Sequence, residues 1–243
     1  MNNEKSNQVK ILQNTLVELN LNAFIVPTDD PHLSEYTAPF YYRREFISGF
    51  TGSAGTAIIT QDKALLFVDG RYHNQADLEV DKKYWTVMKQ GLKDVPTITE
   101  YLSKHLPFKA IVGIDPFITS EANFAKLSKT LNESDKSLKE CLENPIDRIW
   151  GEQRPLAPSG TLRIHSLAVA GKSVNEKLAE VRRVLIEKNT TALVLASLDE
   201  IAWLFNIRGK DVPCNPVAIS YAVITLGIMP VYASLLTDLF SYL

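Results

Sequence analysis

Thr56-Ala57-Ile58-Ile59-Thr60-Gln61-Asp62-Lys63-Ala64-Leu65-Leu66-Phe67-Val68-Asp69-Gly70-Arg71-Tyr72 is the stretch that decides how the fold is read. Two apolar, β-branched runs, Thr56–Thr60 and Ala64–Val68, flank the short polar turn Gln61-Asp62-Lys63, which predicts a β-hairpin. Asp69-Gly70-Arg71-Tyr72 then sits at the end of the second strand. Gly70 there would permit a sharp bend. Arg71 would project from a strand end, where α/β folds often place functional side chains. Its planar donors suit a carboxylate or a peptide carbonyl. A pair with a local acid such as Asp69 is an equal alternative.

Upstream, Ser48-Gly49-Phe50-Thr51-Gly52-Ser53-Ala54-Gly55 is a tight loop. Its glycine spacing is not that of a dinucleotide fingerprint and a strand follows it, so the glycines serve positive φ or close backbone approach. Asp29 to Arg44 is polar and turn-rich. Ala23-Phe24-Ile25-Val26 reads as a strand ended by Pro27. Val9, Leu12, Leu16 and Leu19 recur at helical spacing before it. Downstream, Trp85-Thr86-Val87-Met88 predicts a strand, and Val95 to Leu106 a helix with Pro96 in its first turn. Ala110 to Ile114 predicts a strand and Ser120 to Leu131 a helix. Alternating strands and helices argue for an α/β layered domain.

Trp150 to Ser159, with Pro155 and Pro158, reads as a linker. It separates a domain of residues 1–155 from one of 156–243. The second half echoes the first. A helix over Ser173 to Lys188, with Val174, Leu178, Val181 and Leu185 as its apolar stripe, precedes the strand Ala192-Leu193-Val194-Leu195. Ala222-Val223-Ile224-Thr225 answers Ala57-Ile58-Ile59-Thr60. An offset near 165–169 residues marks a duplicated domain, since solenoid repeats run about 20–50 residues. The first copy continues for about 90 residues past its Ala-Ile-Ile-Thr strand and the second for 18, so the expectation is a truncated second domain. Such a domain would expose Leu235, Leu236, Leu239 and Phe240, and the chain would dimerise or aggregate.

The 243 residues carry a net charge of −2 with both signs mixed, and no basic stripe. That excludes nucleic acid and an anionic membrane surface as expected partners. The start, MNNEKSNQVK, lacks the apolar core of a secretory signal, and no window approaches the roughly 18 apolar residues of a membrane span. Cys141 and Cys214 read as two buried, reduced thiols of a cytoplasmic protein. His32, His73, His105 and His165 show no metal-ligand spacing. No serine elbow or cysteine–histidine signature occurs. The expectation is therefore no catalytic residue and no metal ligand in the chain. Asp29-Asp30 could serve acid–base chemistry, but such a pair more often caps a helix or closes a turn. Gly171-Lys172-Ser173 resembles the end of a phosphate loop, but Ser166 stands where that loop needs glycine. Ser173 with Glu176 instead forms a capping box.

Taken together, several pieces resemble one family. They are Asp30-Pro31-His32-Leu33-Ser34-Glu35-Tyr36, Arg43-Arg44, the Ser48–Gly55 loop, Asp69-Gly70-Arg71-Tyr72 with Gln75-Ala76, and Trp85. Ile149-Trp150 with Arg154-Pro155 adds a linker. The run Leu198-Asp199-Glu200-Ile201-Ala202-Trp203-Leu204-Phe205-Asn206-Ile207-Arg208-Gly209, with Asp211, Asn215 and Pro216, adds a second domain. Their order over residues 8 to 230 is similar to that of three-domain Xaa-Pro aminopeptidases.

The resemblance implies two creatinase N-terminal-like, ribonuclease H-like domains with mixed sheets flanked by helices. It also implies a third, pita-bread domain beyond residue 243. There two manganese ions held by two Asp, one His and two Glu would activate the hydroxide that attacks the bond before proline. It assigns Arg71 to substrate binding, a peptide with proline second as substrate, and a homo-oligomeric enzyme. Ser234 to Leu243 departs from the family's acidic, strand-forming segment. Creatinase-like domains also occur without peptidase chemistry in a histone chaperone subunit. Prolidase and creatinase carry only one of them, which the second copy here disfavours.

Overall fold

The structure is a computed structural model that describes residues 2–227 and 231–233. The chain divides into two compact units. One runs to Pro155 without residues 36–38, and the other starts at Leu156 and includes those three.

The first unit is built on a six-stranded mixed sheet. Its elements are α1 (Asn2–Glu18), β1 (Ala23–Pro27), α2 (Arg43–Ser48), β2 (Thr56–Thr60), β3 (Ala64–Val68), α3 (His73–Glu79), β4 (Trp85–Lys89), α4 (Ile98–His105), β5 (Ile111–Ile114), α5 (Glu121–Asn132), β6 (Ser137–Glu140) and α6 (Pro145–Trp150). The strand order is β4-β3-β2-β1-β5-β6. β2 is antiparallel to both β1 and β3, and the other pairs are parallel. The predicted hairpin forms, closed by Thr60 N donating to Lys63 O at 2.8 Å.

Strand alternation sends successive side chains to opposite faces. Phe24, Val26, Ala57 and Ile59 meet Leu12 and Leu16 of α1 and Ile47 of α2 on one face. Ala23, Ile58, Leu65 and Phe67 meet Tyr101 and Leu102 of α4 and Leu131 of α5 on the other. An apolar sheet covered on both faces is the layered arrangement expected of an α/β domain.

Three features differ from the expectation. α4 begins at Ile98, because Thr97 caps it and forms a capping box with Glu100; Pro96 therefore precedes the cap and is not in the first turn. α2 begins in the last two residues of the segment read as turns and runs on to Ser48, where no helix was expected. α3 follows the Asp69–Tyr72 turn, where no helix was expected.

The second unit contains β7 (Arg163–Ile164), α7 (Leu167–Ala170), α8 (Val174–Glu187), β8 (Ala192–Leu195), α9 (Leu198–Leu204), β9 (Ile207–Arg208), β10 (Ser220–Thr225) and β11 (Val231–Ala233). Its three-stranded sheet has the order β11-β10-β8. This sheet copies the β3-β2-β1 part of the first unit, register included. Ala23 pairs with Thr60 and Val26 with Ala57; Ala192 pairs with Thr225 and Leu195 with Ala222. Thr56 pairs with Phe67 and Ala57 with Leu66; Tyr221 pairs with Tyr232 and Ala222 with Val231. The offset is 169 positions between β1 and β8, and 165 for the other two strands.

Side chains on one face, Leu193, Leu195, Ala222 and Ile224, pack with Leu178 of α8 and Ile201 and Leu204 of α9. Lys177 is buried between these helices. It donates to Trp203 O at 2.7 Å and Asn206 Oδ1 at 2.6 Å, with its ammonium 4.4 Å from the Trp203 ring centroid. Leu235, Leu236, Leu239 and Phe240, expected to be exposed, lie outside the described residues. Among the described residues no helix is long and apolar enough to cross a membrane.

Candidate functional site

A polar cavity of about 330 Å³ opens in the first unit at the carboxyl ends of β1 and β3. Thr28 and Asp29 enter it directly after β1. Leu33, Ser34 and Glu35 come from the following turn. Ser53, Ala54, Gly55 and Thr56 form the wall that leads into β2, and Arg71 follows β3.

Each wall has its own support. Asp30 is fully buried, and its Oδ1 accepts from His32 N at 2.9 Å and Ser34 N at 3.0 Å. It closes the turn that presents Ser34 and Glu35, as expected of a turn acid. Burial pushes the Asp29 carboxyl above its ordinary range, and the Asp30 charge adds to this. Thr28 Oγ1 donates to Gly55 O at 2.9 Å.

The glycine loop is held from below and from the side. Gly49 closes α2 in the left-handed conformation, with φ of 77°. Gly52 and Gly55 serve close approach. A Cβ on Gly52 would lie 2.2 Å from Phe50 Cζ, and one on Gly55 would lie 2.9 Å from Arg44 Nη1. Arg44, 4% exposed, donates through Nη2 to Gly52 O, and its guanidinium stands over the Phe50 ring at 4.7 Å. Burial lowers its pKa to about 10. From α3, Glu79 accepts from Thr51 N and Thr51 Oγ1 at 2.7 and 2.8 Å, and Gln75 Nε2 donates to both Thr51 Oγ1 and Glu79. Burial opposes ionisation of Glu79, but these donors hold its carboxyl below the usual range. Ser53 and Tyr72 hydroxyls meet at 2.6 Å.

Arg71 lies at the rim, its side chain 69% exposed. Its Nε and Nη2 donate to Asp69 Oδ1 and Oδ2 at 3.0 and 2.9 Å. Hydrogen bonds from Arg71 hold the Asp69 carboxyl at about 2. The guanidinium is thus paired with its local acid and also lines the cavity. Gly70 has no left-handed φ, and a Cβ there would meet nothing within 4 Å. The expected glycine requirement at the bend is therefore not met, because the Asp69–Tyr72 turn closes through Tyr72 N to Asp69 O at 3.0 Å without it.

Nothing in the sequence around Ser34 and Glu35 assigns them to a site. Arg44 and the Thr51–Gln75–Glu79 cluster also had no role, since only the fold brings these segments together. Among the described residues no group of three or more His, Cys, Asp or Glu is placed to hold a metal. Gly171-Lys172-Ser173 is no phosphate site. Ser173 N donates to Glu176 Oε2 at 2.8 Å in the capping box that opens α8, and Lys172 pairs with Glu180 at 2.6 Å. Cys141 is buried, but Cys214 is exposed, which corrects the expectation for the second thiol. Cys214 stands in a turn with φ of 61°, bracketed by the Val212–Asn215 bridge.

The model of the creatinase/prolidase N-terminal domain matches residues 8–148, over half of the chain. The chain belongs to this family. A second creatinase/prolidase N-terminal model matches residues 153–235, so two such domains lie in tandem. This creatinase-type chain is 45% identical over 229 residues to a protein of Talaromyces marneffei named probable Xaa-Pro aminopeptidase P; the match covers 94% of the chain and 35% of that protein. A Penicillium rubens protein of the same name is 44% identical, with 94% and 37% covered. The crystal structure of an X-prolyl aminopeptidase from Caenorhabditis elegans, described as a cytosolic enzyme with a di-nuclear active site, superposes with a TM-score of 0.82. It is 33% identical over 88% of this chain and 34% of its own. The creatinase-type chain thus spans about a third of the length of the curated relatives it matches.

Proposed function

We propose that this chain is the creatinase-like, substrate-side region of an Xaa-Pro aminopeptidase, an enzyme that releases the residue preceding proline at a peptide's amino end. The observation that carries the reading is a match to proteins of that name along 94% of the chain. The polar cavity supports it. Arg71 is the substrate-contacting residue in this reading. Asp69 fixes two of its donors and so pre-orients the fork, and the exposed remainder of the guanidinium is left to meet a peptide carbonyl or carboxylate at the rim.

Bond cleavage is assigned to residues outside these 243. The described side chains do not fit a two-metal centre. The intact enzyme would use two manganese ions there, act in the cytoplasm and assemble as a homo-oligomer. Its substrate would be a peptide with proline second.

The test uses a chromogenic Xaa-Pro peptide and manganese. The 243-residue chain alone should release no amino acid, and a longer protein carrying it should do so. Arg71→Ala in the longer protein should raise KM roughly tenfold while the fold is kept, the scale of one lost charge-assisted hydrogen bond. Release by the chain alone, or a longer protein that binds basic proteins and hydrolyses nothing, would overturn the reading.

A further inference from the structure

The glycine loop brings more backbone than side chain to the cavity. Gly55 has no side chain, and its carbonyl accepts from Thr28 Oγ1 at 2.9 Å, so what it has left to offer is its N–H. Ala54 adds only a methyl, and the Ser53 hydroxyl is taken by Tyr72 at 2.6 Å. Earlier in the loop, Phe50 N donates to Ser48 Oγ and Thr51 N to Glu79. Among the described residues, the N–H groups of Ser53, Ala54 and Gly55 donate to no protein atom. A buried cation stands behind this wall. Arg44 is 4% exposed; its Nη2 donates to Gly52 O, while its Nε and Nη1 are buried without a hydrogen-bond partner. Nη1 lies 2.9 Å from the point a Cβ on Gly55 would occupy, so the charge sits directly beneath a residue that lines the cavity. Nearly all buried donors in folded proteins are paired, and departures from such rules gather at functional sites.

We propose that the Ser53, Ala54 and Gly55 amides, backed by Arg44, bind the carbonyl oxygens of a substrate's extended main chain. Successive loop N–H groups form a concavity suited to oxygen that carries negative charge, and a buried charge beside them acts with little screening. The inference rests on the reading of this cavity as the substrate side of an Xaa-Pro aminopeptidase, and adds which part of the peptide is recognised there and by which groups.

A main chain suits this cavity better than a free anion does. Asp29 and Glu35 line it as well, and ionised carboxyl groups there would repel a lone carboxylate or phosphate. A peptide main chain instead carries an acceptor and a donor on every residue except proline. Its carbonyls meet the loop amides and Arg71, and its N–H groups donate to Asp29 and Glu35. Recognition of this kind takes no account of side chains, so the residues that follow proline should vary with little effect on binding.

Amide NMR on the 243-residue chain tests this without any need for hydrolysis. The probes are the peptide Ala-Pro-Ala-Ala as its free acid, the same peptide as its carboxamide, and sodium acetate. Both peptides should move the Ser53, Ala54 and Gly55 amide protons downfield, as new hydrogen bonds to carbonyl oxygen do, and acetate should leave them in place. Ala54→Pro deletes a donor that has no protein partner to lose. It should weaken peptide binding roughly fivefold, the scale of one hydrogen bond, with the β1 and β2 amide signals unmoved. Arg44→Lys, which keeps the charge, should bind more tightly than Arg44→Leu; if either of these fails to fold, Ala54→Pro still decides. The proposal fails if the three amides stay in place up to the solubility limit of the peptides. It also fails if the carboxamide leaves them unmoved, if acetate moves them as far as the peptides do, or if Ala54→Pro binds as the parent does. Hydrolysis by the longer protein with a silent loop would keep the peptidase reading and sink this inference, and a responsive loop with no hydrolysis would do the reverse.

Discussion

Asp69 and Arg71 show how much a side chain's behaviour depends on a neighbour two positions away. Asp69 is held at about 2 by the Arg71 fork. Its carboxylate therefore contributes stability above the ordinary carboxylate range, and that contribution is lost as pH falls through the folded value. Carboxyl NMR should find the Asp69 midpoint near that low value in the native chain and near ordinary aspartate in Arg71→Ala. The glycines give a second contrast. Gly52→Ala puts a methyl 2.2 Å from Phe50 Cζ and 2.7 Å from Tyr72 Cδ1; it should cost roughly 1–3 kcal/mol in urea unfolding, the range for overpacking. Gly70→Ala meets nothing and should stay within about 0.5 kcal/mol of the parent. Sequence alone could not rank these glycines, because what distinguishes them is the Phe50 and Tyr72 rings, folded back over one and not the other. Asp30 was legible as a turn closer from Asp-Pro-His. Glu35 was not legible as a cavity residue, since its partners on the wall come from residues 53–56 and 71.

The elements that sequence found are those with a strong apolar pattern. β2 and β3 are continuous apolar runs buried almost throughout, and α1 and α8 each carry an apolar stripe that recurs at spacings of three to four. α2 and α3 have no such stripe. Six residues of α2 include two buried arginines, and in a sequence Arg43-Arg44 reads as surface. Arg43 is made tolerable by Asp147, which accepts from its Nε and Nη2 at 2.6 and 2.7 Å across 104 positions of chain. α3 buries Ala76 alone. Helix starts, by contrast, were half legible. Ser173 was identified with its Glu176, while Thr97 with Glu100 was hidden behind Pro96. Thr97→Ala and Ser173→Ala should each cost about 1 kcal/mol by thermal melts, the usual worth of a cap. Lys177→Met should cost roughly 1–3 kcal/mol, because it leaves Asn206 Oδ1 without its donor and takes from the Trp203 carbonyl one of the two donors it has, the other being Asn206 N. Burial already lowers the pKa of that ammonium, and the charges of Arg208 and Lys172 lower it further.

For the whole molecule, the duplication was visible as an offset between two similar segments, and the structure adds what an offset does not contain. Strand register is set by pairing, and it is the same in both copies across three strands. Which face of each strand is covered depends on helices far along the chain. In the first unit α4 and α5 supply the cover. Sequence therefore signalled a repeated hairpin with a second copy cut short, but could not say which strand face loses its cover, the one carrying Ala192, Val194 and Val223. The difference is measurable. In native-state exchange, amides of β1, flanked on both sides, should be protected much longer than those of β8 in the same molecule.

The matched registers also constrain how the two copies could have drifted apart. The spacing between equivalent positions drops from 169 to 165 on passing from the first strand to the second. A difference of four residues is therefore absorbed wholly in the connection. A single residue gained or lost inside a strand would turn every following side chain to the other face. Ala222 and Ile224 would then surface and Val223 would be forced into the helices. Length variation in this architecture is confined to its connections, and the strands have kept their phase while the sequence around them changed.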